Sequence, residues 1–422
     1  MKQFWLAGIL GAGLSCFGGP IRADGPVAEA EPAQLEKLTA RIERLENAAK
    51  SPSETKRPTV NWSGQLQADT RWIDQDAESR RRFGDIENGS AFRRARFGMH
   101  GEYGPTEYRI DVDFALAGRP TFLDVFVGAR DVPFFGRVRV GHFFEPFLLE
   151  RYMRNRNVTF LERALPDQPF APARNLGIMA NDTWLEGRGT WALGLFRADS
   201  DVFGDDAGDR QEYAVTGRVT GLPIDEDDGA KLIHVGFGYS FRNANDRRVR
   251  FRSQPEARLG SATPNVPFFV DTGTISADYY QLIGLEAAGV RGPFSASAEW
   301  VLVPVDGGAF FHGWYVEGSV FLTGEHRPYR RDNGVFDRVI PANDFLSTAG
   351  GVGSGPGAIQ LAARVSQLVL DSGSVRGGRL TNVTAAINWH LNPYTRITAE
   401  YVRAMTGHSA TNIVGLRTGF EF

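Results

Sequence analysis

Asn412-Ile413-Val414-Gly415-Leu416-Arg417-Thr418-Gly419-Phe420-Glu421-Phe422, the last eleven residues of the chain, alternate with a period of two. Asn412, Val414, Leu416, Thr418, Phe420 and Phe422 share one face, and Ile413, Gly415, Arg417, Gly419 and Glu421 share the other. Successive side chains of an extended strand point to opposite sides, so this stretch predicts a strand with one apolar face and one small or charged face. The pattern recurs upstream. In 380–391, Val383, Ala385, Ile387, Trp389 and Leu391 oppose Asn382, Thr384, Asn388 and His390; in 231–241, Ile233, Val235, Phe237, Tyr239 and Phe241 oppose mostly Gly, His and Ser. A soluble sandwich needs large apolar residues on its inner faces. Here the face opposite the aliphatic one is small or polar, which fits lipid outside and a wet lumen inside.

Carried along the chain, the alternation predicts sixteen strands, near 59–73, 91–103, 106–117, 121–131, 136–144, 176–187, 190–199, 210–220, 230–241, 277–290, 293–304, 309–323, 357–371, 377–391, 394–406 and 410–422. The expected fold is all-β: a transmembrane antiparallel barrel of about 16 strands. With both ends on the periplasmic side, Gly104-Pro105, the stretch from Gly187 to Gly189, Gly292-Pro293 and Asn392-Pro393 become short turns. One periplasmic connection breaks this economy, the long stretch 324–356.

Composition agrees. The 422 residues include 49 glycines and 12% aromatics, which lean toward β structure. After the first 15 residues no apolar run approaches the roughly 18 to 20 needed for a spanning helix, so a helical membrane protein is excluded. The net charge of −3 argues against a nucleic-acid partner held by bulk electrostatics. Lysine occurs only at Lys2, Lys37, Lys50, Lys56 and Lys231, leaving 42 arginines among 47 basic residues. Arginine stays charged and offers a planar fork suited to oxyanions. A GC-rich coding sequence would give the same bias, so position rather than ratio carries the inference.

Residues 1–23 read as an export signal: Lys2, the apolar run from Phe4 to Leu14, and Ile21-Arg22-Ala23 as the cleavage site. The only cysteine, Cys16, lies inside it, so the mature chain has no disulfide or cysteine site. A lipoprotein use of Cys16 is disfavoured by Gly13, where a branched aliphatic residue would be expected. Residues 24–58 form a periplasmic spacer with a heptad over 33–49 (Leu35, Leu38, Ile42, Leu45, Ala49), either a short oligomeric coiled coil or a loosely helical tether. Pro52 and Pro58 end it, and residues 59–422 are the barrel domain.

Three long connections carry arginine: 145–175 with Arg151, Arg154, Arg156, Arg163 and Arg174; 242–276 with Arg242, Arg247, Arg248, Arg250, Arg252 and Arg258; and 324–356 with Arg327, Arg330, Arg331 and Arg338. They are either solvated surface or loops folded into the lumen. In the second case they would concentrate anions and exclude cations. Within 91–100, Ala95, Phe97 and Met99 suit lipid and turn Arg94, Arg96 and His100 inward, because a lipid-facing arginine costs about 2–4 kcal/mol at the midplane. None of the seven histidines has a Ser–carboxylate context or metal-ligand spacing, so no cofactor is implied. A barrel enzyme and a porin for other small solutes are the rival classes.

The chain resembles the phosphate-selective porins O and P. The residues that carry the resemblance are Phe92-Arg93-Arg94-Ala95-Arg96-Phe97, Asp124-Val125-Phe126-Val127-Gly128, Val140-Gly141-His142-Phe143-Phe144-Glu145-Pro146-Phe147, Thr159-Phe160-Leu161-Glu162-Arg163 with Phe170-Ala171-Pro172, Leu322-Thr323-Gly324-Glu325 with Arg327-Pro328-Tyr329, Leu361-Ala362-Ala363-Arg364, and Asn388-Trp389-His390-Leu391-Asn392-Pro393. The resemblance implies a homotrimeric, sixteen-stranded outer-membrane channel for small anions such as phosphate or polyphosphate. It also implies that two extracellular loops and one periplasmic turn fold into the lumen. It places Arg93 and Arg94 in a central anion site, Asp124 beside them, and the arginines of the second loop, Arg242 to Arg252, in a ladder toward the outside. Phe144 stands where the family often has lysine. The constriction loop has no lysine either, which leaves Arg151, Arg154 or Arg156 for that role.

Overall fold

The computed structural model describes residues 39–43, 57–116, 118–198, 200–204, 212–260, 266–345 and 354–422. It divides into two units, Met1–Lys56 and Arg57–Phe422. In the first, residues 39–43 are helical and exposed. The expected signal, Cys16, and the heptad positions Leu35, Leu38, Leu45 and Ala49 lie outside the described residues.

In the second unit sixteen strands close into one barrel: β1 Asn61–Gln75, β2 Gly89–Tyr103, β3 Thr106–Asp113, β4 Thr121–Val132, β5 Gly136–Phe144, β6 Arg174–Trp184, β7 Gly189–Arg197, β8 Tyr213–Glu226, β9 Lys231–Asn243, β10 Tyr279–Arg291, β11 Phe294–Pro304, β12 Phe310–Phe321, β13 Ala358–Ser372, β14 Val375–His390, β15 Thr395–Thr406 and β16 Ser409–Glu421. Each pairs antiparallel with its neighbours, and β1 closes on β16 from Gln65 opposite Glu421 to Gln75 opposite Thr411. Closure leaves no unpaired strand edge, which is what lets strands cross lipid. Leu66, Phe97, Val140, Leu195, Val316 and Leu416 are exposed on the outer face, while Arg417 of β16 is buried on the inner one. No described helix is long and apolar enough to cross a membrane.

Two strand limits differ from expectation for local reasons. β3 stops at Asp113, where Oδ1 of its carboxylate accepts the N–H groups of Ala95 and Ala115 and turns the chain away. β8 runs past Pro223 to Glu226 because the register slips between Gly221 and Ile224, and a bulge tolerates a residue without an N–H.

The lumen is not simply wet. The connection between β5 and β6 drops inside and packs Phe147, Leu148, Leu165 and Phe170 with Phe251 and Phe269 of the β9–β10 connection and with Val301, Val303 and Phe311 of the wall. The small residues on the inner faces make room for it. A Cβ on Gly284 would lie 2.7 Å from Leu148 Cδ2, and one on Gly238 would lie 3.0 Å from Phe147. The long periplasmic connection also turns inward: Tyr329–Arg330 pairs with Val335–Phe336 as a small hairpin. Arg218 of β8 donates to the carbonyls of Asn333 and Gly334, at 3.0 and 2.8 Å. Tyr329 lies 2.7 Å from Nδ1 of His234.

Candidate functional site

The β5–β6 connection narrows the lumen and is held by its own backbone. Glu299 of β11 accepts the N–H of Leu149 at 2.5 Å, Glu400 of β15 accepts that of Leu161 at 2.8 Å, and Glu256 accepts that of Leu165 at 2.8 Å. Arg364 of β13 bridges Glu150 and Glu256 at 3.2 and 2.8 Å. Buried carboxylates satisfied by N–H donors and guanidinium groups make a rigid anchor, whereas a single one left unpaired would be costly.

Two cavities flank this loop, and Asn155 lines both. The outer one, about 280 Å³, is bordered by Arg93, Arg94, Arg151, Glu162, Arg163 and Arg258. The inner one, about 420 Å³, opens toward the periplasmic rim and is bordered by Arg96, Arg109, Asp124, Arg139, Arg154, Arg156, Arg174, Arg330 and Arg338, among others.

Strict alternation would send Arg93 to lipid, yet both Arg93 and Arg94 are inside. The reason is a bulge: Gln67 of β1 pairs with Arg94 and Ala68 pairs with Phe92, so Arg93 is the extra residue. Arg93 is bound by both oxygens of Glu162, at 2.7 and 3.0 Å. Arg94 donates to Gln67 Oε1 at 2.6 Å, and its buried Nε has no partner. Burial works to raise the Glu162 carboxyl, but Arg93, Arg94 and Arg417 hold it well below the usual range.

Around the inner cavity most guanidinium groups are also paired. Arg96 meets Asp113 at 2.7 Å, Arg174 meets Asp124 at 2.8 Å, Arg109 meets Asp111 at 2.6 Å, Arg330 meets Asp332 at 2.8 Å, and Arg156 lies 3.9 Å from Glu421. Arg151 is tied into its loop by Asp167 and by the carbonyls of Asp167 and Ala171. Arg154 differs: no carboxylate lies within ion-pair distance among the described residues, and its side chain is exposed to the lumen. Desolvation, then repulsion from Arg156, Arg109 and Arg330, lowers its pKa to about 10, which leaves it charged at neutral pH.

Other expected residues lie elsewhere. Arg247, Arg248, Arg250 and Arg252 line neither cavity. The second loop itself alternates, with Val249, Phe251 and Ser253 buried and Arg248, Arg250 and Arg252 exposed. Arg242 is buried against Glu145 at 2.8 Å. Arg327 is buried against Glu317 at 3.1 Å and stacks over Phe336. Both hold the wall or the turn in place. Conversely, Arg139 borders the inner cavity without having been singled out, although Val138 and Val140 on the outer face of β5 disclose its direction.

A family profile for phosphate-selective porins O and P matches residues 60–421. The chain belongs to that family. It is an outer-membrane porin, a channel whose strands and inserted loops form the passage. An uncharacterized protein of Caulobacter vibrioides is 29% identical over 330 residues, which cover 74% of this chain and 62% of that one. Porin O of Pseudomonas aeruginosa is 25% identical over 386 residues, covering 83% of each. Among solved structures the porin's fold matches the anion-selective porin from Comamonas acidovorans with a TM-score of 0.53 at 12% identity, over 87% of this chain and 100% of that one. OprB of Pseudomonas putida at high pH matches with 0.55 at 8% identity, over 92% and 97%. At these identities the likeness concerns the fold.

Proposed function

We propose that this porin passes small anions by diffusion, with phosphate-type oxyanions as its preferred cargo. The observation that carries the proposal is Arg154, a guanidinium with no carboxylate partner among the described residues, exposed in the narrowed lumen and ringed by Arg109, Arg156 and Arg330. Arg94 plays the corresponding part in the outer cavity, where its partner among the described residues is the amide of Gln67. An oxyanion leaving water exchanges its hydration for charge-assisted hydrogen bonds, each worth about 1.5–3 kcal/mol. The paired arginines supply a positive but balanced field, and Asp124 beside Arg174 weakens the hold enough for release. A chain of sites that bind, but not too tightly, is what conduction requires.

Reversal potentials of the reconstituted protein under a KCl gradient test this reading. Anion preference with chloride current blocked by millimolar phosphate is expected; cation preference would overturn it. The heptad over 33–49 and the resemblance support a homotrimer, which native mass measurement in detergent tests. A monodisperse monomer would refute it.

A further inference from the structure

We propose, resting on the anion reading above, that the inner cavity also accepts flat organic anions, specifically aromatic carboxylates. Its lining is two-sided. Arg154, Arg156 and Arg109 provide the charge, while Phe126, Phe144 and Tyr152 contribute rings. Many inner-face positions are small or polar, as at Gly236, Gly238 and Ser240 of β9, and the apolar Val301, Val303 and Phe311 are packed under the inserted loop. Beside the inner cavity, Phe126 is backed by Phe143, Met179, Phe196, Ala198 and Ala214, an apolar cluster inside the barrel. Phe126 and Phe143 meet edge to face at 5.9 Å, as do Phe143 and Phe196 at 5.7 Å.

A hydrated inorganic ion gains nothing from such a wall, whereas an aromatic ring does. Small-molecule sites combine apolar and aromatic lining with a few charged groups in roughly 300–1,000 Å³, and a cavity of about 420 Å³ falls in that range. The guanidinium of Arg174 lies 3.8 Å from the centroid of Phe144 and that of Arg139 lies 4.8 Å from Phe126, so the wall alternates rings with cationic planes. An aromatic ring can stack on either surface. A benzoate-like anion would place its carboxylate at Arg154 and its ring toward Phe126 and Phe144.

The test titrates chloride current through the reconstituted full-length channel with benzoate and, separately, acetate, which has the same charge and no ring. Benzoate should block at about 2- to 10-fold lower concentration, the advantage of one aromatic contact. In Phe144→Leu the benzoate-to-acetate ratio should move toward one, with barrel folding checked by heat-modifiable mobility. Rings that only steady the neighbouring guanidinium groups would give benzoate no advantage. Equal block in an anion-preferring wild-type channel, or a ratio that survives both Phe144→Leu and Phe126→Leu, overturns this inference and leaves the anion reading intact. Cation preference would remove both.

Discussion

Replacing Arg154 with alanine removes the one guanidinium lining the inner cavity that lacks a carboxylate among the described residues, and its effect follows from that isolation. A paired arginine contributes little net field, because deleting it uncovers its carboxylate and deleting the carboxylate uncovers it. Arg154 has no such counterweight among the described residues. A hydrogen bond to a charged partner is worth about 1.5–3 kcal/mol, and lumen water screens this exposed side chain, so the lower end applies. The loss of about 1.5 kcal/mol corresponds to roughly tenfold weaker binding. Phosphate block of single-channel chloride current in planar bilayers should therefore require about tenfold more phosphate in Arg154→Ala, with anion preference reduced. Arg80→Ala provides the control: that side chain is exposed and lies 3.9 Å from Asp85 outside the barrel strands. Wild-type block in Arg154→Ala, or an equal loss in Arg80→Ala, would refute the assignment.

Glu162→Gln should release Arg93 from its bidentate partner and strengthen phosphate block several-fold in the same recordings; unchanged block would mean that the outer cavity is off the ion path. Anion preference should stay flat from pH 5 to 8, since Arg154 keeps its proton until pH rises through about 10, and should fall only above that; reversal potentials across the range check this. Arg218→Ala strips the buried Glu286 of its cation and the hairpin of two carbonyl bonds. The expected cost is about 3–5 kcal/mol, read as noisier conductance and faster proteolysis within 329–336.

The barrel was legible because lipid punishes a misdirected side chain on nearly every strand, so the sequence of β16 or β14 states its own register. The site was legible only where that rule applied. Arg96 and Arg139 follow from their apolar neighbours. Arg93 does not, because a bulge is a choice of hydrogen-bond pairing and leaves no mark in the alternation. The family resemblance implies a ladder at Arg248, Arg250 and Arg252, and the alternation with Val249 and Phe251 discloses only that these three share the exposed side of their loop. Which arginine lacks a carboxylate among the described residues was not legible at all: Glu162 reaches Arg93 from 69 positions away, and Glu421 of the last strand reaches Arg156 of the first inserted loop.

The bulge on β2 has a consequence for how this wall can change. A regular strand offers the lumen one side chain every two residues, about 6.8 Å apart, and no substitution shortens that spacing. The extra residue on β2 does, by setting two guanidinium groups within a single step of the ladder. Most positions along the inner wall can exchange one side chain for another and keep the barrel's geometry. Here deleting Arg93 would restore even pairing at the loss of one of the two cations, and deleting a neighbour instead would turn one of them to the bilayer, so length, rather than identity, is what this short segment cannot vary.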